Sequence, residues 1–370
     1  MAINVVVHYS AEQPKILVGL MATGSSSSSA SQLRRLLQVS EASATRMQAV
    51  ADLLLLASEI RPVLSGPAEG PGAEAAEPHA EQLTYERCRE SIALCAKNLE
   101  ILIFDVQTHL YMGRYAQVCD SLASTAELVV ALTERAAHAG YLAAMGTADS
   151  QPAGPGHLDR YGLCRAHLEL ERSWTRLRDT PICELNSREL MDVSTSISRN
   201  LRMLSEPCLA ASEQVDEPFV REQLRLGIKC VTSSATALIA CIRAFKEQPG
   251  ELSHRRCVLF GAPLLESVQA LLGLCAEPVL QGTGAVLSPQ GRAIHTSVLG
   301  GAMSVVAACV LLCRGVRGVA QQPEGRRLPE LRHKLQRAAC AASHGCTLLL
   351  HALRDALQPT SMDANGINLL

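Results

Sequence analysis

From Tyr85 to His109, apolar residues return in alternating steps of three and four: Tyr85, Cys88, Ile92, Cys95, Leu99, Leu102, Val106 and His109. An α-helix turns once in about 3.6 residues, so this spacing draws one apolar stripe down a single face for about seven turns. A helix with such a stripe is covered only when other stripes pack on it. The rest of the chain supplies them. The spacing predicts a first helix over Ser40–Arg61, with Met47, Val50, Leu54 and Ala57 on one face, and a third from Tyr115 after the break at Gly113. A fourth is predicted over His157–Arg178, with Leu163, His167, Leu170, Trp174 and Leu177 facing inward. A fifth is capped by Asn186 or Ser187. A sixth starts with Asp216 as cap and Pro218 in its first turn, and a seventh, from Leu252, should kink or split at Pro263. Ser288-Pro289 opens an eighth, and the ninth spans Leu328–Leu357.

Composition agrees with helices. Aromatic residues make up 3% of the chain, and the 48% that are hydrophobic are mostly Leu, Ala and Val. No run alternates with period two for long enough to build a sheet. The fold expected is all-α: nine helices in packed bundles. Residues 1–39, with the serine run Ser25–Ser29, read as a disordered N-terminal segment, although Leu33, Leu36 and Leu37 could form a short amphipathic turn. Ser65–His79, Gly146–Gly156 and Glu277–Pro289 read as linkers, and 359–370 as a polar tail. The units expected are 40–146 with helices one to three, 157–276 with helices four to seven, and 288–358 with the last two.

A net charge of −2 leaves no global basic field, so nucleic acid is not an expected partner. The 14 cysteines lie mostly in apolar helical stretches, and Met1–Ser10 has no basic start or clear cleavage site of a secretory signal. They read as reduced cytosolic thiols that fill core space. No CxxC occurs, and no metal or other cofactor is expected. Ala293–Cys313 carries no charge and is long enough to span a bilayer, but His295, Thr296 and Ser304 interrupt it and its large residues recur at bundle spacing. It is read as a buried helix, without membrane insertion. No phosphate loop, nucleophile elbow or metalloprotease motif is present, so the chain is not expected to be an enzyme. His344 and His351 flank Cys346 on the ninth helix but read as ordinary helix residues. Hydroxyls enter the stripes at Thr125, Ser233, Ser234 and Thr236, either weakening the bundles or bonding the carbonyl one turn back.

Charge is uneven. Between Arg314 and Arg337 stand seven basic residues and two acidic ones. Arg326, Arg327, Arg332, Lys334 and Arg337 lie at or near the start of the ninth helix, the end the macrodipole disfavours for cations. With Arg255 and Arg256, they are the candidate contacts to an acidic surface.

The segments MQAVADLLLLASEIRPVL (Met47–Leu64), VQTHLYMGRYAQVCDSL (Val106–Leu122) and LGGAMSVVAACVLLC (Leu299–Cys313) resemble talin rod bundles. The resemblance covers about Ser40 to Leu357. It implies a four-helix bundle inserted into a five-helix bundle, with helices four to seven as the insertion. It also implies binding and bundling of filamentous actin, homodimerisation through the four-helix module, and a cytoplasmic place on the actin cytoskeleton. Talin-like bundles also take amphipathic helical motifs of adaptor proteins along a groove or release a buried helix to vinculin, and the eighth helix, apolar all round, is the candidate for release. Phe260 on the seventh helix is read either as the anchor of an isologous dimer contact or as ordinary core. The family has no short actin-binding motif, so no contact residue is carried over. Met1–Leu20 do not resemble the family's start, whereas Met21 and the residues after it do, so the first twenty residues are expected to be a start-site artefact.

Overall fold

The computed structural model describes residues 26–56, 84–321 and 328–356. Among them the chain forms nine α-helices: α1 (Ser26–Leu56), α2 (Tyr85–Tyr111), α3 (Tyr115–Met145), α4 (Arg160–Asp179), α5 (Ser187–Gln214), α6 (Pro218–Glu247), α7 (Glu251–Cys275), α8 (Pro289–Gln321) and α9 (Leu328–Asp355). A single 3-10 turn, Ile182–Glu184, sits between α4 and α5. The tail, Ser65–His79 and the end predicted for the first helix at Arg61 lie outside the described residues.

The stripes sort the helices into two groups. In the first, α1, α2, α3, α8 and α9 share a core that includes Leu36, Met47, Leu99, Val106, Leu122, Val129, Val305, Cys309, Leu312, Leu335 and Ala342. In the second, α4 to α7 bury Leu170, Ile197, Leu204, Leu224, Leu238, Phe245, Leu264 and Val268. Helix α8 is central to the first group and packs on α9, α3 and α1. Its buried side holds Val298, Ala302, Val305, Val306, Cys309, Leu312, Cys313 and Val316, and little of its middle is polar.

Local signals set several boundaries. Gly113 takes φ +68° just after α2, a left-handed turn that suits glycine. Asn186 caps α5, its Oδ1 accepting from the backbone of Arg188 and Glu189, both at 3.0 Å. Ser288 Oγ accepts from Gly291 N at 3.0 Å ahead of Pro289, the first residue of α8. The hydroxyl question is answered inside α3: Thr125 and Thr133, both buried, each donate to the carbonyl four residues back at 2.7 Å.

Four expectations need correcting. Helix α1 starts at Ser26, well before Ser40, and Leu36 inside the presumed disordered segment is fully buried. The serines are tolerated because the stripe of Leu33, Leu36 and Leu37 has a core to meet. On α4 the inward positions are Leu163, Ala166, Leu170 and Leu177, with His167 and Trp174 only half-buried. Pro263 lies inside a continuous α7, as Pro207 does inside α5, so the helix is not split there. The N-cap of α6 is Glu217, with no side-chain cap bond, and not Asp216.

The two connections between the groups run side by side. Gln151 and Val286 exchange backbone hydrogen bonds at 2.8 and 3.0 Å, Gly154 N donates to Thr283 O at 2.9 Å, and His157 N donates to Leu280 O at 3.1 Å. Thr147, Ser150 and Ser288 join hydroxyls at one end of this ladder. The chain therefore leaves and re-enters the first group through a paired neck.

Helices α8 and α9 meet through glycine. A Cβ on Gly301 would lie 2.7 Å from Leu349 Cα, and one on Gly345 would lie 2.9 Å from Val305 N. Gly300, one residue away, faces open space. The two positions should answer alanine with opposite signs. Gly301→Ala should destabilise by about 1–3 kcal/mol as the helices are forced apart. Gly300→Ala should stabilise by about 0.5–1 kcal/mol through backbone entropy. Urea titration of both variants checks this, and equal signs would contradict the close packing.

Candidate interaction surfaces

Helix α7 turns Cys257, Gly261, Leu264, Val268, Leu271 and Cys275 inward. At about 100° per residue, Leu252, Leu259, Pro263 and Arg256 then lie along one outward-facing side, with Phe260 on its flank next to the buried stripe. Leu252, Leu259 and Phe260 are 64%, 61% and 44% exposed. Phe260 is therefore no part of either core, and the ordinary-core reading of it falls. Behind this face, α7 is pinned to α4. A Cβ on Gly261 would lie 1.9 Å from Trp174 Cδ1, so the indole occupies the space a side chain would take. Trp174 Nε1 donates to Val258 O at 3.3 Å, and the Arg178 guanidinium stacks 4.6 Å from the ring. The face is thus an exposed strip on a fixed support, apolar except for Arg256 within it, with Arg255 exposed beside it.

The α9 cations lie on the other helix group. Arg332, Lys334 and Arg337 are exposed near the start of α9, and Arg314 and Arg317 are exposed near the end of α8. The contact of Gly315 with Leu335 puts these two stretches at the same end of the hairpin. Lys334 pairs with Glu330 at 3.0 Å, Arg317 pairs with Glu41, and Arg332 stacks 4.4 Å from the ring of Tyr111. Arg326 and Arg327 lie outside the described residues. The structure therefore gathers part of the α8–α9 cluster but leaves Arg255 and Arg256 on a separate group.

A third constellation was not visible from the sequence. Where α1 and α3 meet α4, Arg46 Nε lies 2.9 Å from Glu169 Oε1, and Arg165 reaches Glu169 at 2.8 Å and Glu134 at 3.1 Å. Tyr161 Oη donates to the same Glu134 oxygen at 2.7 Å. Glu134 and Glu169 are 4% and 8% exposed. Burial pushes the Glu169 carboxyl up, but Arg46, Arg172 and Arg165 outweigh it and hold it below the ordinary carboxylate value. Burial and the Glu134 carboxylate push the Tyr161 phenol well above its usual range. Two helix groups are thus joined by charges that water barely reaches. The sequence signal was Glu134 itself, an acid within an alanine-rich stretch of α3 that also carries Arg135 and His138.

The remaining candidates separate. His344 and His351 are exposed, whereas Cys346 is buried and its thiol is pushed up to about 11 by burial, so no thiol–imidazole pair forms there. Among the described residues, no group of three or more His, Cys, Asp or Glu is placed to hold a metal ion. Three helices, α6, α7 and α8, are long and apolar enough to cross a membrane by length and composition. On α8 much of that apolar length faces the first core, whereas less of it is buried on α6 and α7.

No family model matches the chain. It is similar to Talin-1 of Gallus gallus, 24% identical over 242 residues, and to Talin-2 of Homo sapiens, 23% identical over 242 residues. Talin of Oscarella pearsei is 22% identical over 240 residues. Each likeness covers 65% of this chain and 9% of the relative, so the chain spans about a tenth of the length of the curated relatives it matches. This distant likeness and the all-α bundles describe a talin rod-like helical protein.

The buried charges generate a pH dependence. The folded-state value of Glu169 lies below its ordinary 4.5, so its stabilisation is complete above that value and is lost as pH falls through the folded one. Glu169→Gln should therefore cost about 2–4 kcal/mol at neutral pH, because it strands arginines against α4. The gap between variant and parent should narrow as pH falls below the ordinary value of Glu169 and through the folded one. Urea midpoints of both proteins across this range check it, and a gap that ignores pH would refute the assignment.

Proposed function

We propose that this protein bundles filamentous actin as a homodimer, with α4–α7 acting as a dimerising module inserted into a five-helix unit that carries the filament contact. The observation that carries this reading is the exposed apolar face of α7 around Phe260. A filament-binding unit with one contact surface cannot crosslink, but two copies joined about a twofold axis present two. A strip of Leu252, Leu259 and Phe260 on a helix pinned by Trp174 is suited to an isologous contact, since each copy brings the same aromatic anchor. The likeness to talins and the segments that resemble talin rod bundles support the actin assignment and a cytoplasmic place on the actin cytoskeleton.

The filament contact is assigned to the basic end formed by α8 and α9. Arg332, Lys334 and Arg337 face solvent there, together with Arg314, and an acidic filament surface would meet them. Arg326 and Arg327 join this assignment by sequence alone. Arg255 and Arg256 flank the α7 strip and form the second candidate contact.

A second reading, an adaptor for amphipathic helical motifs of signalling or adhesion proteins, draws on a groove between α2 and α3. It is lined by Asn98, Ile101, Leu102, Ser124, Glu127, Leu128 and Ala131, with Ile101 59% exposed. Release of α8 to vinculin would require opening the first core, because α8 lies at its centre.

Two experiments test the leading reading. Phe260→Asp places a charge at the twofold contact and should give a folded monomer by light scattering that still pellets with actin at high speed but no longer forms low-speed bundles. A monomer that bundles like the parent would overturn the mechanism. Arg332→Glu with Arg337→Glu should weaken filament binding at least about tenfold and flatten its salt dependence, without changing subunit number. Unchanged binding would move the contact elsewhere.

A further inference from the structure

The four helices α4–α7 close a ring in which α4 packs on α5 and α7, and α6 packs on α5 and α7. Helices α5 and α7 are therefore opposite corners. Yet one contact crosses between them: Cys208 Sγ of α5 lies 3.6 Å from Cys275 Sγ of α7. Both residues are buried, at 0% and 1% exposure. They stand 67 residues apart in sequence, and Cys275 is the last residue of its helix, next to the paired neck. Gln281, in that neck, donates from Nε2 to the Cys275 carbonyl at 2.7 Å.

We propose that Cys208 and Cys275 are a redox pair that closes to a disulfide when the protein meets a peroxide, stapling α5 to α7 across the core of the four-helix group. The geometry needs little change, since the sulfurs are already at contact distance. The chemistry is complete with hydrogen peroxide as oxidant. The Cys208 thiolate attacks one peroxide oxygen, the O–O bond breaks, and the released hydroxide takes up a proton to leave as water. The Cys275 sulfur then attacks the sulfenic sulfur, its proton leaves with the displaced hydroxyl as a second water, and the S–S bond forms. Two thiols are oxidised by two electrons and one peroxide is reduced. Cys208 is the fitting first nucleophile: its hydrogen bond with Cys275 holds its thiol below the ordinary value and outweighs burial, while the same bond raises Cys275. Entry comes by fraying. Cys275 ends α7 and Cys208 lies in the last two turns of α5, and helix ends open at a small fraction of the global unfolding free energy.

The consequence follows from position. A link between neighbouring helices leaves the far side of a bundle free to open, whereas one across the diagonal holds both halves together. It also closes a long loop, which restricts the unfolded chain most. Oxidation would therefore hold the four-helix core shut, and reduction would return its ordinary freedom.

The test uses the full chain. Exposed Cys183, Cys230 and Cys340 are first capped with iodoacetamide under native conditions, then hydrogen peroxide is added and the peptides are mapped without reduction. The expected result is one peptide pair joining Cys208 to Cys275, reversed by dithiothreitol, with the thermal midpoint of the oxidised form raised by at least about 5 °C. Cys208→Ala and Cys275→Ala should each abolish both the link and the shift. Recovery of Cys208 and Cys275 as free thiols, a link from Cys275 to the half-buried Cys164 instead, or a link without a midpoint shift would each overturn the proposal. The mapping on the unaltered chain decides the matter even if a variant fails to fold.

Discussion

Helix α8 carries a wide apolar face along its middle, and the need to enclose it organises the protein. Val298, Val305, Cys309 and Leu312 must be enclosed, and the helices that enclose them are α1 and α3 from one end of the chain and α9 from the other. The first three helices cannot complete their core until α8 returns to them after α7. A whole second bundle is therefore folded between two parts of the first. The chain must also cross the boundary twice at one place, and the ladder of Gln151, Gly154 and His157 with Val286, Thr283 and Leu280 satisfies the backbone groups of both crossings at once. Close approach at Gly301 and Gly345 lets α9 seal the open side of α8.

The contact between the two helix groups follows a different rule from the cores. Within each group burial is apolar and non-directional. Between them it is charged and directional, through Arg46, Arg165, Glu134, Glu169 and Tyr161. Such buried pairs contribute little net stability compared with apolar packing, but they are costly to misalign. They set the angle between groups more than they hold the groups together. This division suits a protein read as two functional units: each has its own apolar core, and the orientation of the α7 face relative to the α8–α9 end is set by a few charge-assisted bonds.

The order and type of helices were legible because the apolar stripes are long. The stripe from Cys88 to Val106, except that Ile103 and not Leu102 turns inward, and the Ser288-Pro289 start of α8 lie where periodicity and cap chemistry place them. The start of α1 was obscured because serines have no periodicity of their own, and its Leu33–Leu37 stripe looks too short without the core it meets. His167 was misplaced because a position on the flank of a stripe differs by only a fraction of a turn from one at its centre. The charged bridge was illegible for a more basic reason. Arg46 and Glu169 are 123 residues apart, and each alone looks like an ordinary solvated helix charge. The same holds for Cys208 and Cys275, which periodicity marks only as small apolar residues. Phe260 was singled out from its place beside Gly261 and Pro263, but its exposure depends on which side of α7 faces the core.

The functional reading rests on bivalence: two copies, joined through α7, carrying one filament contact each. Electron cryomicroscopy of the bridges between paired actin filaments tests this most directly. The account expects each bridge to hold two copies related by a twofold axis, with the α7 faces at the centre and the α8–α9 ends against the filaments. A bridge built from one copy that touches both filaments through different helix groups would contradict it.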